Sequence, residues 1–285
     1  MKKLFLALIL LWSSLAFAEI PKDFNVYTSS LSGGKAEVCR QLFSAYTEKY
    51  GGTALIQVHA GGEGTLAVNK LLTDTKFSVL CSGFADHIAN PILLPKLADA
   101  SRLSIVNIFA IAPINYLVSP TSNNTITTLI GSTKQLSIGY SLGSVRLVTQ
   151  SVFNSILWVP YKKPSDAVPS LLDGSLDMYA DSAQLSGVVA SGILKNIGCL
   201  NCSTLSKYTS LDKVLPNASK ILLFTGISVS DKYLSTSEEL HLRINSILSS
   251  EKMRSIILHL DMSPIIWSLP NTTSYVEETS KKRFN

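Results

Sequence analysis

The arrangement of apolar and polar residues predicts alternating strands and helices in the first third of the chain. Short apolar runs are separated by longer segments in which apolar residues recur every three or four positions, as on one face of a helix. The predicted elements are a strand at 24–29, a helix at 37–50, a strand at 53–59, a helix at 65–72 and a strand at 77–81. This β-α-β-α-β order predicts a parallel sheet with the carboxyl ends of its strands at one edge. The loops at 30–36, 60–64 and 82–87 should therefore meet there.

The middle of the chain repeats this order after a long apolar strand at 102–113. A crossover at 116–120 leads into a second lobe that opens around 125–131. Its predicted elements are strands at 136–140, 157–161 and 176–180 and helices at 145–156, 165–172 and 184–189. A strand at 221–229 and two helices, 237–248 and 250–259, complete the pattern. Strands that alternate with helices in this way predict an α/β fold.

The first eighteen residues have the three parts of a secretory signal peptide. Lys2 and Lys3 supply the positive end, residues 4–12 the apolar run, and Ala16-Phe17-Ala18 a small-x-small cleavage site. The apolar run is much shorter than the roughly 20 residues that span a bilayer. We therefore expect cleavage after Ala18 and a periplasmic mature protein.

Charge and cysteine content exclude several classes of function. The net charge is only +5 and the basic residues are scattered, without a basic stripe interleaved with aromatics, so nucleic acid is not an expected partner. Cys39, Cys81, Cys199 and Cys202 allow three pairings. The Cys199–Cys202 pair lacks a second pair of zinc ligands, which favours a local disulfide or two plain thiols. A bridge between Cys39 and Cys81 is also allowed, and we expect no metal and no cofactor.

A glycine turn between the first strand and the first helix is suited to binding an anion. It reads Ser30-Leu31-Ser32-Gly33-Gly34-Lys35. Glycines let successive N–H groups point inward, and the helix N-terminus adds partial positive charge. The structural alternative is a tight turn with a capping serine. The predicted ligand-binding residues here are Ser32, Gly33, Gly34 and Lys35.

A second glycine turn, Gly139-Tyr140-Ser141-Leu142-Gly143-Ser144, has the same strand–glycine–helix order. Ser141, Gly143 and Ser144 are its predicted ligand-binding residues. The segment also matches G-x-S-x-G, the nucleophile elbow of α/β-hydrolases. A triad would need Asp181 or Asp212 as the acid and His241 or His259 as the base. Both histidines lie in helical patterns, so catalysis is the weaker interpretation.

Polar residues follow two further strands at the same edge. Asp181 and Ser182 come after the last strand of the second lobe, where they are suited to capping the next helix and to polar selection of a ligand. Ser82 and Asp86 follow the third strand of the first lobe. We include Asp181, Ser182 and Ser82 among the predicted ligand-binding residues.

Several segments together resemble one family, the Bug-type substrate-binding proteins of tripartite tricarboxylate transporters. The strongest match is 158–182, where V-P-Y-K, L-L-D-G and L-D-M-Y-A-D-S stand where the family has H-V-P-Y-K-G, L-L-x-G and x-V-D-L-x-x-D-S. Ser32-Gly33-Gly34 corresponds to the family's P-G-G loop, 59–64 to R-P-G-A-G-G, and 116–120 to L-V-V-x-P. The order and spacing of these segments carry the resemblance across nearly the whole mature chain.

The resemblance implies a two-lobed type II periplasmic-binding-protein fold with mostly parallel sheets. Lobe 1 would comprise 19–118 and 224–285, lobe 2 would comprise 119–223, and hinges would lie at about 118–121 and 220–226. It also implies capture of a small carboxylate-bearing organic acid in the cleft, without catalysis, for delivery to membrane transporter subunits by a monomeric protein. The alternatives are a secreted serine hydrolase that uses Ser141 and a binding protein that signals instead of transporting.

Overall fold

The computed structural model describes residues 19–97, 99–153, 155–182, 185–282 and 284. The predicted signal peptide lies outside the described residues. The strands are β1 (Asp23–Thr28), β2 (Thr53–Val58), β3 (Ser78–Gly83), β4 (Leu103–Ala112), β5 (Ile114–Val118), β6 (Leu136–Tyr140), β7 (Ile156–Pro160), β8 (Met178–Asp181), β9 (Lys195–Leu200), β10 (Leu223–Ser230) and β11 (Ser263–Pro264). The α-helices are α1 (Gly34–Tyr50), α2 (Thr65–Thr73), α3 (Asn90–Leu93), α4 (Ile126–Ile130), α5 (Gly143–Gln150), α6 (Val168–Leu172), α7 (Ser186–Ala190), α8 (Ser237–Leu248), α9 (Glu251–His259) and α10 (Leu269–Ser280).

The strands form two sheets with related topology. The first has the order β11-β4-β10-β3-β1-β2, and the second has the order β7-β6-β8-β5-β9. In the first, β1 pairs in parallel with β2 and β3, and β3 pairs antiparallel with β10. In the second, β6 pairs in parallel with β7 and β8, and β8 pairs antiparallel with β5. Both sheets are therefore mixed, because each contains strands that run between the two lobes.

The chain passes from the first sheet to the second at Pro113, between β4 and β5. It returns to the first sheet at β10 after β9 and the segment 201–222. The final helices and β11 then follow β10, so the first lobe contains two separate stretches of chain. The exact bounds of the lobes stay a prediction, although the pairing of β5 with β8 and β9 favours a first boundary near residue 113 over 118.

Several helices differ from the sequence prediction in length or existence, and two are instructive. The predicted helix at 145–156 ends at Gln150 in the structure, because the chain turns at Ser151 and Ile156 already pairs with Leu136 in the sheet. Helix α10 was not predicted, although Ser268 caps it and Pro270 occupies its first turn, which is a recognisable start signal. Strand β9 was also missed, since its sequence lacks a regular apolar alternation.

Apolar packing and two disulfides fix the helices on the sheets. Fully buried side chains such as Val26, Leu42 and Phe109 lie between the first sheet and its helices, and each contributes roughly 1.5–3 kcal/mol by leaving water. The disulfide Cys39–Cys81 joins α1 to β3, and Cys199–Cys202 closes a local loop after β9. Helix α1 is thereby held directly beneath the first glycine turn.

Candidate functional site

The first glycine turn, residues 32–35, leaves the start of α1 open. Gly33 is exposed and has a φ of 91°, a left-handed conformation that favours glycine, and no side chain there caps the helix. The first intrahelical hydrogen bond runs from Glu37 N to Gly33 O. The N–H groups of the three preceding residues therefore have no intrahelical acceptor. A Cβ added at Gly33 would meet nothing within 4 Å, so solute has space to approach.

Lys35 places a positive charge in this turn. Its Nζ donates to Ser29 Oγ at 3.2 Å and lies 3.8 Å from Asp86 Oδ2. Asp86 is buried and its Oδ2 also accepts a hydrogen bond of 2.9 Å from Gly83 N. Burial raises the pKa of Asp86, and the Lys35 charge opposes that rise. The buried Asp86 carboxyl thus pairs with the lysine, whose side chain as a whole remains a quarter exposed.

Three loops of the first lobe meet at the edge predicted from the sequence. A Cβ at Gly64 would lie 2.9 Å from Asp86 Oδ1 and 3.5 Å from Ser29 Cβ, which joins the loops after β1, β2 and β3. Asn90 Nδ2 donates to Glu63 O at 3.0 Å and ties the second of these loops to α3. The carboxyl ends of the parallel strands therefore form one continuous surface.

The second glycine turn, residues 141–144, occupies the equivalent position in the second sheet, after β6. Helix α5 begins at Gly143, and its N-cap residue Leu142 provides no side-chain cap. In contrast to the first glycine turn, Gly143 is buried. A Cβ added there would lie 2.7 Å from Glu63 Oε2 and 2.8 Å from Leu93 Cδ1. The second turn therefore packs directly against two side chains of the first lobe.

The glycines of the two turns have different nearest neighbours. The first turn lies beside Met262, because a Cβ added at Gly34 would be 2.8 Å from Met262 Sδ. The second turn faces the loop after β2 and helix α3. The loop after β2 connects the two turns through side chains: its Glu63 contacts the second turn, and its Gly64 lies beside Asp86, the ion-pair partner of Lys35.

The other predicted residues of the second lobe lie around the ends of β6 and β8. Ser144 is buried and Ser141 is half-buried, and burial raises the pKa of Tyr179 on β8. Asp181 is buried, and its Oδ2 accepts a 2.8 Å hydrogen bond from Leu185 N. The Asp181 carboxylate thus holds the backbone of Leu185, which is itself the N-cap residue of α7, so Asp181 is not the N-cap that the sequence suggested. Ser182 follows it and is half-buried.

Ser82 lies inside the first lobe. Its side chain is buried, and its Oγ is 2.6 Å from Ser228 Oγ on the neighbouring strand β10. Ser228 Oγ is in turn 2.8 Å from His87 Nε2. Desolvation lowers the pKa of His87 to about 4, so the ring is neutral at neutral pH. These contacts favour a structural role for Ser82.

Sequence reasoning missed Arg146, a cation one turn into α5. Its guanidinium carbon lies 5.7 Å from the ring centroids of both Tyr140 and Trp158, and Nη1 donates to Tyr140 Oη at 3.5 Å. Within the described part of the chain no carboxylate lies within 4.0 Å of it. The signal in the sequence was a single arginine three residues after the glycine of the second turn, between two aromatic strand residues.

The residues of the alternative hydrolase triad have other partners. His241 Nδ1 is hydrogen-bonded to Val106 O at 2.8 Å, and its Nε2 is 2.9 Å from Asn245 Nδ2. His259 Nδ1 bonds Ser255 O within its own helix at 2.7 Å. Asp212 Oδ1 accepts from the amide of residue 201. No ring nitrogen of His241 is left to act as a base for Ser141.

The described residues contain neither a metal-binding cluster nor a membrane-spanning helix. No three His, Cys, Asp or Glu side chains in that part of the chain are grouped so that they would hold a metal ion. Likewise, none of the helices described above has both the length and the apolar character that a membrane span requires.

Comparison with known proteins identifies the fold. No family model and no curated protein matches the sequence. Among solved structures, a TctC solute-binding protein from Polaromonas is similar at 14% identity and a TM-score of 0.72, covering 92% of this chain and 96% of that one. A protein from R. palustris solved with adipate has 15% identity and a TM-score of 0.72, with 92% and 95% covered. MatC from Rhodopseudomonas palustris with bound malate has 15% identity and a TM-score of 0.69, with 92% and 97% covered. The predicted two-lobed periplasmic-binding-protein fold is thus confirmed.

Proposed function

We propose that the mature chain is a periplasmic solute-binding protein that captures a small carboxylate-bearing organic acid between its lobes for a tripartite tricarboxylate-type transporter. The observation that carries this proposal is the pair of glycine turns, each of which leads from a parallel strand into a helix without a side-chain cap. Both turns border the junction of the lobes. The adipate and malate in the related structures support an acid as the ligand.

The first glycine turn binds the acid in this proposal. The free N–H groups at the start of α1 donate to the carboxylate, and Lys35 adds a charge-assisted contact. Ser32, Gly33 and Gly34 shape the turn, while Ser141, Gly143, Ser144, Asp181 and Ser182 border the opposite side of the cleft. Closure of the lobes removes water and strengthens each of these hydrogen bonds.

The strands that join the lobes allow such closure. β10 and β4 pair with two irregularities in register, near Thr225/Gly226 and Ile227/Ser228. Irregularities of this kind interrupt a ladder and let the strands bend. In this proposal the protein carries the acid unchanged, and the engagement of both ring nitrogens of His241 with other residues supports that choice over hydrolysis.

A thermal-shift screen of residues 19–285 against mono- and dicarboxylates, aromatic acids and amino acids tests binding. A ligand at 100 times its dissociation constant should stabilise the fold by about 2.7 kcal/mol. Gly34→Trp should abolish the response, because its side chain would collide with Met262 and displace the first glycine turn. Gly187→Trp is the matched control, since Gly187 is exposed and a Cβ there meets nothing within 4 Å. A screen in which no acid raises the melting temperature contradicts the proposal.

Location, oligomeric state and delivery each have a direct test. We expect N-terminal sequencing of the periplasmic fraction to begin at Glu19 and light scattering to give a monomer mass. Uptake of the acid found in the screen should be lost on deletion of the gene and restored by the wild type but not by Gly34→Trp. Unchanged uptake would assign the protein to sensing instead of transport.

A further inference from the structure

Glu63 places a carboxylate of the first lobe at the start of a helix in the second lobe. Its Oε2 is close enough to Gly143 that a Cβ there would be only 2.7 Å away. Gly143 is the first residue of α5, whose N-terminus has no side-chain cap. The N-terminal end of a helix attracts negative charge. The chain therefore supplies its own anion to the second glycine turn.

The backbone holds Glu63 in this position at a conformational cost. Its φ of 54° lies in the left-handed region, which is disfavoured for a residue with a Cβ. The neighbouring Gly62 and Gly64 also have positive φ, and the buried amide of Asn90 donates to Glu63 O at 3.0 Å. The loop after β2 is thereby fixed with the Glu63 side chain directed to the other lobe.

No cation of the described chain neutralises the Glu63 carboxylate within ion-pair distance. Lys35 is 3.8 Å from Asp86, and the Arg146 guanidinium stacks on Tyr140 and Trp158. The two glycine turns consequently differ in charge. The first carries Lys35 and is open, and the second is already in contact with a carboxylate.

We infer that Glu63 determines ligand specificity as a tethered carboxylate that takes the second anion position of the cleft. The ligand then carries one carboxylate, bound at the first glycine turn, and an uncharged or cationic remainder. A dicarboxylate would have to displace Glu63 or place its second charge beside it. This inference rests on the proposed function and narrows its ligand class.

Isothermal titration with hexanoate and adipate tests the inference, because the two acids have equal chain length and differ in one carboxylate. The wild type should bind hexanoate more tightly than adipate. Glu63→Gln should tighten adipate binding at least tenfold and change hexanoate binding less than threefold. Glu48→Gln, an exposed position on α1, makes the same change in net charge and should leave both affinities unchanged.

The possible results separate the inference from the proposed function. If the wild type binds acids but prefers adipate, or if Glu63→Gln leaves the ratio of the two affinities unchanged, the inference is overturned and the proposed function stands. If neither acid, nor any acid of the thermal-shift screen, binds to wild type or variant, both are overturned. A melting temperature of Glu63→Gln within a few degrees of the wild type confirms that the variant is folded.

Discussion

The two glycine turns of this molecule have the same local construction and different surroundings. Each follows the parallel strand at the centre of three and starts a helix without a side-chain cap. The first is exposed, has open space at Gly33 and holds Lys35. The second is buried at Gly143 and packs against Glu63. Local sequence therefore creates an anion-binding geometry, and the neighbouring lobe decides whether that geometry is free for a solute.

Three other helices of the chain show what a side-chain cap does. The N-cap residues of α4, α9 and α10 are Thr125, Ser250 and Ser268, whose hydroxyls accept a hydrogen bond from the backbone of the first turn. A capping side chain of this kind satisfies a donor that would otherwise bind solvent or ligand. The helices that follow the two glycine turns lack such a cap, as do α2, α3, α6, α7 and α8. What distinguishes the two glycine turns is their place after the central parallel strand of each sheet.

The two disulfides should contribute unequally to the unfolding free energy, and this is the largest difference that we expect between the lobes. Cys39–Cys81 spans 42 residues and holds α1 under the first glycine turn, whereas Cys199–Cys202 spans three. From the entropy of loop closure, Cys39→Ala/Cys81→Ala should lose about 4 kcal/mol of unfolding free energy and Cys199→Ala/Cys202→Ala about 2 kcal/mol. Urea unfolding of the two double variants measures this. Equal losses would show that the first lobe gains no special rigidity from its bridge.

Acid pH should weaken the first lobe through His87. Its pKa falls from the ordinary 6.5 to about 4 because the ring is buried. Between these values the unfolded chain binds a proton that the folded protein excludes, so stability falls as the pH drops from 6.5 to 4, by about 3 kcal/mol in total. The non-titrating variant His87→Gln should lack this part of the pH dependence. The measurement is the unfolding free energy from urea titrations between pH 6.5 and pH 4. If it falls equally for wild type and variant, His87 is not the source of the pH dependence.

Gly33→Val should remove acid binding from the first glycine turn. A β-branched residue is strongly disfavoured at a φ of 91°, so the turn and its N–H groups must reorganise. We expect the affinity for the acid to fall at least about 100-fold, which corresponds to about 2.7 kcal/mol. Titration calorimetry measures the affinity. Gly174→Val is the matched control, with a φ of 79° and open space around it, and it should bind normally.

Lys35→Gln should weaken acid binding by about tenfold, because a charge-assisted hydrogen bond is worth roughly 1.5–3 kcal/mol. The salt dependence of the affinity should fall at the same time, since the removed contact is electrostatic. Calorimetry at low and high salt separates the two effects. Lys49→Gln, in the last turn of the same helix, provides the same change in charge. An equal effect of both substitutions would exclude a local role for Lys35.

Gly143→Ala should have the smallest effect. The atoms that a new methyl group would meet are the ends of two flexible side chains, Glu63 and Leu93, which can move. Alanine also favours the helix over glycine, so the unfolding free energy should stay within about 1 kcal/mol of the wild type. Gly226→Ala is the contrasting case, because its Cβ would lie 2.0 Å from the backbone oxygen of Asn107. Equal losses in urea unfolding would show that Glu63 is rigidly fixed.

The apolar periodicity of the sequence was sufficient to predict most of the strands and helices of the first lobe. Strand β1, helix α2 and the glycine turn at 33 follow from local apolar spacing and from glycines, which accept backbone angles that other residues disfavour. The meeting of the three loops at one edge was also predictable from the sequence, because the carboxyl ends of parallel strands lie at the same edge of a sheet. The placement of Lys35 near that edge was therefore predictable.

The partners of the second glycine turn were not predictable in the same way. The contact of Gly143 with Glu63 joins residues 80 positions apart, on different lobes, and no local pattern specifies it. The sequence did not predict Glu63 as a site residue, because its positive φ is visible only in the folded chain. Ser82 was predicted as a ligand residue from its position after a strand, but its side-chain direction into the lobe depends on pairing with β10.

A crystal structure of residues 19–285 grown with a saturating acid from the screen tests the central claim most directly. We predict that one carboxylate oxygen lies within hydrogen-bonding distance of the N–H groups of Gly34 or Lys35, with Glu63 still beside Gly143. Density for the acid at another surface, or a carboxylate bound at Gly143 with Glu63 displaced and the first glycine turn empty, would contradict this account.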